Sequence, residues 1–331
     1  MTPDSTQHNT EFEEWVSRCY KALFAADFAS FKELMHEEIE TNPRQRAEVM
    51  NGYLCEAVAQ DLPECIAYLL DMGVPVDARI DGAESALQVA ASHGYNDIIQ
   101  QLLAAGADVN HRTCEYSFPL ESAARYGRLE TMQLLLDAGA DVTMADSFAL
   151  FAACEATEQS TMSIEQVCPV VEFLLNAGAS PDATCYNKNW NALAEVLSVK
   201  DNATAQLLLE RGCTHLHDGV SWGLHSDDDE FPIETGPEDI LPLLLERGLA
   251  ASDILYPERN YTVFMEAAFN GSLDNVKLLL SHGADLNAVT TDDTPETALD
   301  LAIRADNFAI ADFLRSRGAF LAKELKNRFA L

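Results

Sequence analysis

The chain of 331 residues carries 54 acidic and 21 basic residues, which gives a formal net charge of −33. This charge argues against a surface for nucleic acid or for an anionic membrane, because both of those partners require positive potential. It suits either a basic partner or simply a protein that must stay soluble. The apolar content of 48 % is high enough for a folded core, so wholesale disorder is excluded.

The N-terminal segment, residues 1–50, is predicted to form a helical cap. It begins "MTPDSTQHNTEFEEW", which has neither the basic start nor the apolar core of a secretory signal. Further on, "AADFASFKELM" has the spacing of the last part of a helical pair. We interpret it as a degenerate copy of the repeat that follows, placed where an array must present a polar end.

The subcellular location is predicted from two further features of the chain. No window reaches the ~18 uninterrupted apolar residues that a membrane helix requires. The eight cysteines are scattered without C-x-x-C pairs, which is typical of thiols in a reducing compartment. We therefore expect a cytoplasmic protein that does not enter membranes.

A phrase close to "LLAAGADVN" recurs along residues 51–331. Its glycines are separated by 33 to 39 residues, and six of the eight follow a large apolar residue by 19 positions. This periodicity predicts an array of about eight repeats. The glycines are Gly73, Gly106, Gly139, Gly178, Gly212, Gly248, Gly283 and Gly318, and the apolar anchors are Leu54, Leu87, Leu120, Leu193, Phe264 and Leu299.

Each repeat is predicted to form two short antiparallel helices. In "LQVAASHGYNDIIQQLLAAG", residues 87–106, small residues follow the anchor, a loop comes next, and leucines and isoleucines then recur at helical spacing. Ser85, Thr262 and Thr297 stand two residues before an anchor, where a hydroxyl caps a helix. The glycine is expected to close the second helix in a left-handed conformation.

These residues resemble the ankyrin repeat, with the best matches at 85–110, 119–143 and 262–288. The resemblance implies an all-α solenoid of helix-turn-helix units with short β-hairpin-like connections. It also implies a non-enzymatic module that binds a protein through a concave surface, with no cofactor. The family's histidine, which links adjacent units, is replaced here, for example by Gln88, Glu121 and Asp300.

Two segments depart from the repeat, at residues 147–185 and 218–254. The first contains nine extra residues, and the second replaces a clean first helix with "DGVSWGLHSDDDEFPIETGPED". Cys213, His215, His217 and His225 suggest zinc, but the repeat register places Cys213 and His215 at buried apolar positions, so we expect no metal. An enzyme site in these segments and a nucleic-acid mimic remain alternatives.

The resemblance also identifies positions that the fold leaves free for binding, at the hairpin tips and at the exposed end of each first helix. Aromatic side chains there favour an interface, because binding hot spots are rich in Trp, Tyr and Arg. The alternative is that one or two of them pack as local core beneath the irregular segments. The acidic run at 227–229 is either a partner contact or a solvated loop. The candidate binding residues are Asp81, Glu84, His93, Glu115, Arg125, Tyr126, Lys188, Trp190, Arg259, Tyr261, Phe269, Asp227, Asp228 and Asp229.

The sequence thus predicts a protein that binds a protein partner with a basic surface. Acidic residues would steer the partner and aromatic residues would hold it. An inhibitor or immunity-type protein that occludes a basic toxin or nuclease is a more specific form of this hypothesis.

Overall fold

The computed structural model divides into two compact bodies, which we call the N-terminal body (Met1–Ala156) and the C-terminal body (Thr157–Leu331). The division falls within the irregular segment at 147–185. The residues that the structure describes are 5–37, 43–77, 84–113, 117–157, 159–184, 191–199, 201–214, 216, 241–252, 254–256, 259–291 and 293–329.

The N-terminal body is built from short helices connected by tight loops. Its helices are α1 (Ser5–Phe24), α2 (Phe28–Met35), α3 (Pro43–Ala59), α4 (Pro63–Asp71), α5 (Ala86–His93), α6 (Asn96–Ala104), α7 (Pro119–Arg125), α8 (Leu129–Asp137) and α9 (Met144–Glu155).

These helices pair as helical hairpins that stack in chain order. The hairpins are α3/α4, α5/α6 and α7/α8, and the first helices α3, α5, α7 and α9 pack against one another in sequence. The second helices α6 and α8 also pack together. The anchors Leu54, Leu87 and Leu120 are buried between the stacked hairpins. Each hairpin is too thin to cover its apolar side alone, so its neighbours cover it.

An aromatic cluster joins α1 and α2 to α3. Trp15 donates its indole N–H to the carbonyl of Leu34 at 2.9 Å. The ring of Tyr53, on α3, meets the rings of Trp15 and Phe31 edge-on, at centroid distances of 6.0 and 5.5 Å. This packing suits a cap on the first hairpin, and the boundary at residue 50 stays a prediction.

The C-terminal body contains further hairpins of the same kind. Its elements are α10 (Ile164–Asn176), α11 (Ala192–Ser198), α12 (Asn202–Glu210), α13 (Leu241–Glu246), β1 (Ile254–Tyr256), β2 (Tyr261–Thr262), α14 (Val263–Phe269), α15 (Leu273–Ser281), α16 (Ala298–Arg304), α17 (Phe308–Ser316) and α18 (Ala322–Phe329). The hairpins α11/α12, α14/α15 and α16/α17 each pack internally, and α14 packs against α16. The short strands β1 and β2 are antiparallel, with Ile254 opposite Thr262.

The predicted ends of the helices are confirmed. Gly106 has φ +92° and donates its N–H to Leu103, while the next N–H reaches the carbonyl of Leu102 at 3.0 Å. The other seven repeat glycines also have positive φ. At the helix starts, the hydroxyls of Ser85, Thr262 and Thr297 each accept the backbone N–H three residues later.

Replacing Gly106 with alanine is expected to destabilise the N-terminal body by about 1–2 kcal/mol. An added Cβ would meet nothing within 4 Å, so the cost comes from the left-handed backbone and not from a clash. Gly106→Asn should cost less, because asparagine tolerates this conformation. Urea unfolding of both variants checks the ranking, and equal losses would contradict the conformational explanation.

Polar side chains link successive repeats within each body. Asn110 accepts the N–H of Asp141 at 2.8 Å and donates to the carbonyl of Gly139 at 3.1 Å. Two of the residues that replace the family's histidine also make such links. Gln88 donates to Ser117 at 2.8 Å, and Asp300 accepts the N–H of Ala322 at 2.8 Å. The lost histidine links are therefore partly restored by other residues.

No helix in the described part of the chain is both long and apolar enough to cross a bilayer.

Candidate functional site

Half of the predicted binding residues fall on the part of the chain that the structure describes. Seven lie outside the described residues and stay predictions: Asp81, Glu115, Lys188, Trp190, Asp227, Asp228 and Asp229. The described ones divide between the two bodies. Glu84, His93, Arg125 and Tyr126 belong to the N-terminal body, and Arg259, Tyr261 and Phe269 belong to the C-terminal body.

In the N-terminal body, the ends of two stacked first helices bring candidate residues to one edge. His93 ends α5, Arg125 ends α7 and Tyr126 is the residue after it, and α7 packs directly on α5. We call this edge the first-helix face and define it by His93, Arg125, Tyr126 and Leu129. Leu129 begins α8, immediately after the loop that follows Tyr126.

Two side chains of this face are exposed without a visible folding role. The ring of Tyr126 is 40 % exposed, and Leu129 is exposed to the same degree. The imidazole of His93 stacks on the ring of Tyr95, with centroids 5.1 Å apart. A surface cavity of about 270 Å³ lies beside them, lined by His93, Gly94, Asn96, Arg128, Leu129, Glu130 and Thr131. Exposed apolar groups with polar surroundings are typical of protein interfaces.

Arg125 lies between two carboxylates. Its Nε donates to Glu121 at 2.7 Å, one turn earlier on α7, and its Nη1 donates to Glu155 of α9 at 2.7 Å. The Glu121 side chain is only 6 % exposed and that of Arg125 only 18 %. Arg125 therefore ties two successive first helices together, a structural role that is distinct from the partner contact predicted for it.

The surroundings of this ion pair are rich in negative charge. Burial raises the pKa of Glu121, and the rise survives the opposing effect of Arg125, with the Glu84 carboxylate adding to it. Burial works to lower the pKa of Arg125, but Glu121 and Glu155 outweigh it and the pKa is raised. One guanidinium thus pairs with two carboxylates, and the Glu84 carboxylate acts on one of them, which leaves a local excess of negative charge.

In the C-terminal body, the expectation for Tyr261 is wrong. We expected an exposed aromatic side chain, but Tyr261 is only 5 % exposed. It lies on β2 opposite Tyr256 of β1, just before α14, and its low exposure makes it part of the local core. The alternative considered for this aromatic row therefore holds here. Arg259 remains exposed, with its guanidinium 5.7 Å from the centre of the Tyr261 ring.

Phe269, at the end of α14, is exposed as expected. The guanidinium of Arg304 lies over its ring at 5.2 Å from the centroid, and Arg304 also pairs with Glu296 at 3.3 Å. A guanidinium stacked on an aromatic face is held in a defined orientation and keeps donors for another group.

The irregular segments are described only in part. At the entry to the first of them, α9 opens with a break, where Ala145, Asp146 and Ser147 take positive φ of 51 to 64°. Cys213 is buried, as the repeat register predicted, while His215, His217 and His225 lie outside the described residues. Among the residues described, no group of three or more His, Cys, Asp or Glu side chains is arranged to hold a metal ion. A surface cavity of about 360 Å³ is lined in part by Asn260, Thr262 and Asp285.

The sequence did not single out Glu155, which pairs with Arg125, or Leu129 and Ile303, which are each 40 % exposed. The Glu121–Arg125 pair follows the i, i+4 charge rule and was detectable from spacing alone. The contribution of Glu155 depends on the stacking of α9, most of which lies in the irregular segment, on α7, and spacing does not reveal it.

The similarity of this chain to known protein families agrees with this architecture. A family model described as ankyrin repeats (3 copies) matches residues 23–113, 54–146 and 233–324, which together make up more than half of the chain. None of the curated proteins matches the chain. Arrays of this kind are in general protein–protein interaction modules and are typically non-enzymatic.

Proposed function

Because the chain belongs to the ankyrin-repeat family, we propose that it is a non-enzymatic binding protein whose first-helix face receives a partner with a basic surface. The observation that carries this proposal is the juxtaposition of exposed Tyr126 with the carboxylates around Arg125. Family membership supports a protein ligand, and the residues of this face support its chemistry.

In the proposed mechanism, charge governs the association rate and burial of apolar side chains governs the dissociation rate. Surplus carboxylates attract a basic partner over several ångströms and raise the association rate, an effect that salt screens. Tyr126 and Leu129 then lose their contact with water when the partner docks, which lowers the dissociation rate. The net charge of −33 extends the attraction over the whole chain.

The most specific form of the proposal is an inhibitor or immunity-type protein in the cytoplasm that covers the basic active surface of a nuclease or toxin. This form of the proposal is supported by the net negative charge of the chain. Such a partner needs positive residues to bind its own anionic substrate, so an acidic competitor fits the same surface.

The experiment that tests the proposal is affinity capture from the native cell extract at about 50 mM and about 500 mM salt, followed by binding measurements with the purified partner. We expect a partner with a surplus of Lys and Arg, and capture that falls steeply with salt. A partner without basic surface residues, or binding that is equally strong at both salt concentrations, would overturn the charge-based part of the proposal.

Glu84→Lys is expected to slow association with that partner several-fold and to leave the dissociation rate nearly unchanged, because exposed charges act mainly on the encounter. Glu84 is exposed and adds negative potential at Glu121. Glu64→Lys, an equal charge change at an exposed position of α4, is the matched control. Stopped-flow kinetics should show the larger effect for Glu84, and equal effects would mean that total charge alone matters.

A further inference from the structure

Two neighbouring segments of the C-terminal body line a surface cavity that the proposed function does not yet use. Its volume is about 360 Å³. One segment leads into α14 and the other follows α15, so two successive repeats form the cavity together. The described residues that line it are Ser252, Asn260, Thr262, Asp285, Asn287, Ala288 and Val289.

Hydrogen bonds between the two segments hold the walls of this cavity in place. Asn260 donates its side-chain amide to the carbonyl of Val289 at 2.8 Å, and Thr291 donates its N–H to the carbonyl of Arg259 at the same distance. The hydroxyl of Thr262 is fixed because it caps α14. These groups are ordered before a ligand arrives, which lowers the entropic cost of binding one.

Three oxygen atoms of the lining residues have no hydrogen-bond partner within the described part of the chain. One carboxylate oxygen of Asp285 accepts the N–H of Asn287 at 2.9 Å, and its other oxygen is unused. The hydroxyl of Ser252 and the amide oxygen of Asn260 are unused as well. The side-chain amide of Asn287 offers an unused donor, but Asp285 is the only charged group among the described lining residues.

The charge around the cavity is negative. Residues 252–297, which span both segments and the two helices between them, include eight acidic and two basic residues. Both basic side chains have partners: the guanidinium of Arg259 lies 5.7 Å from the centre of the Tyr261 ring, and Lys277 pairs with Asp274 at 3.0 Å. No lysine or arginine is among the described residues that line the cavity, so its carboxylate has no cation there.

We propose that this cavity receives a lysine or arginine side chain of the basic partner, an inference that rests on the proposed function. The ammonium or guanidinium group would donate to the unused oxygens of Asp285, Ser252 and Asn260. The aliphatic part of the same side chain would lie along Ala288 and Val289, because long basic side chains combine an apolar stem with a charged end. A calcium ion suits the cavity less, since it prefers several carboxylate and carbonyl ligands.

The full chain alone tests the cavity without the partner. Methyl NMR signals of Ala288 and Val289 are followed while butylammonium or butylguanidinium is added, with uncharged butanol and calcium chloride as comparison probes. We expect concentration-dependent shifts with both organic cations and a response about tenfold weaker with butanol, because hydrogen bonds from a charged donor are the stronger ones. Absence of shifts, equal shifts with butanol, or larger shifts with calcium would each overturn the proposal.

Two variants test the cavity in the complex. Asp285→Asn keeps an oxygen for the N–H of Asn287 but removes the charge, and Ser252→Phe fills the cavity without changing any charge. Each should weaken binding of the captured partner about tenfold in calorimetry. Asp312→Asn, the same change at an exposed position of α17, is the matched control and should alter affinity less than about twofold.

The outcomes separate this inference from the proposed function. A basic partner that binds in a salt-dependent manner and is insensitive to both cavity variants would overturn the cavity assignment and leave the proposed function standing. If capture yields no basic partner, the proposed function fails, and the NMR titration then decides whether the cavity binds an organic cation.

Discussion

Replacing Arg125 with methionine is expected to lower the free energy of unfolding by about 3–5 kcal/mol. The change removes the cation from between Glu121 and Glu155, which it contacts at 2.7 Å on each side. Glu121 is then left nearly buried without its partner, and an unpaired buried charge is among the costliest defects in a protein. Methionine keeps most of the side chain's apolar packing, so the loss of unfolding free energy can be attributed to the missing charge.

Arg304→Met is the matched control for this prediction. Arg304 lies five positions after its anchor, as Arg125 does, but it is 53 % exposed and its carboxylate partner is 3.3 Å away. We expect a loss below about 1 kcal/mol for this exposed pair. Adding Glu121→Gln to Arg125→Met should recover much of the stability. If urea unfolding gives the two arginine variants equal losses, the ion pair has no structural role.

The pH dependence of the same variants provides an independent check. The pKa of Glu121 is already raised by burial, so the folded state holds this proton more tightly than the unfolded state does. Its contribution to stability therefore falls as the pH rises from the ordinary glutamate range through the raised value. Without Arg125, which opposes this effect, the pKa of Glu121 rises further. The difference between wild type and Arg125→Met should consequently be largest at neutral pH and shrink on acidification.

Local features of the fold were predictable because they are encoded within single repeats. The glycine that ends each second helix and the hydroxyl that starts a first helix act over three to five residues, and both are confirmed at Gly106 and Ser85. The buried anchors follow from helical spacing in the same way. Repetition strengthens these predictions, because the same sequence pattern has to be consistent with the structure of every repeat.

Features that depend on contacts between repeats were less accessible to sequence reasoning. Tyr261 was expected on the surface, because the repeat pattern places it at a hairpin tip, but the side chain is buried. Ile303 drew no attention, because its position is buried in the other first helices. Its exposure follows from where α18 starts. In both cases the outcome depends on which segment covers a residue, and local spacing does not specify that.

The neighbours Arg125 and Tyr126 show why binding and stability need separate probes. Both were predicted as partner contacts, yet Arg125 is held between two carboxylates, one of them nearly buried, and Tyr126 follows the end of α7 and is exposed. A loss of binding on changing Arg125 would combine partial unfolding with any lost contact. Tyr126 is the cleaner probe of the first-helix face.

Tyr126→Ala is expected to weaken binding of the basic partner by about 2 kcal/mol, or roughly 30-fold, and to leave the free energy of unfolding nearly unchanged. The ring is exposed in the free protein and loses water only when a partner covers it. Met72→Ala removes an equally exposed apolar side chain at the end of α4, and calorimetry should show full affinity for it. Trp190→Ala, outside the described residues, is predicted to match the loss at Tyr126. If the tyrosine and tryptophan variants both bind as wild type does, the partner uses a different face, because an aromatic anchor at the centre of an interface cannot be removed without cost.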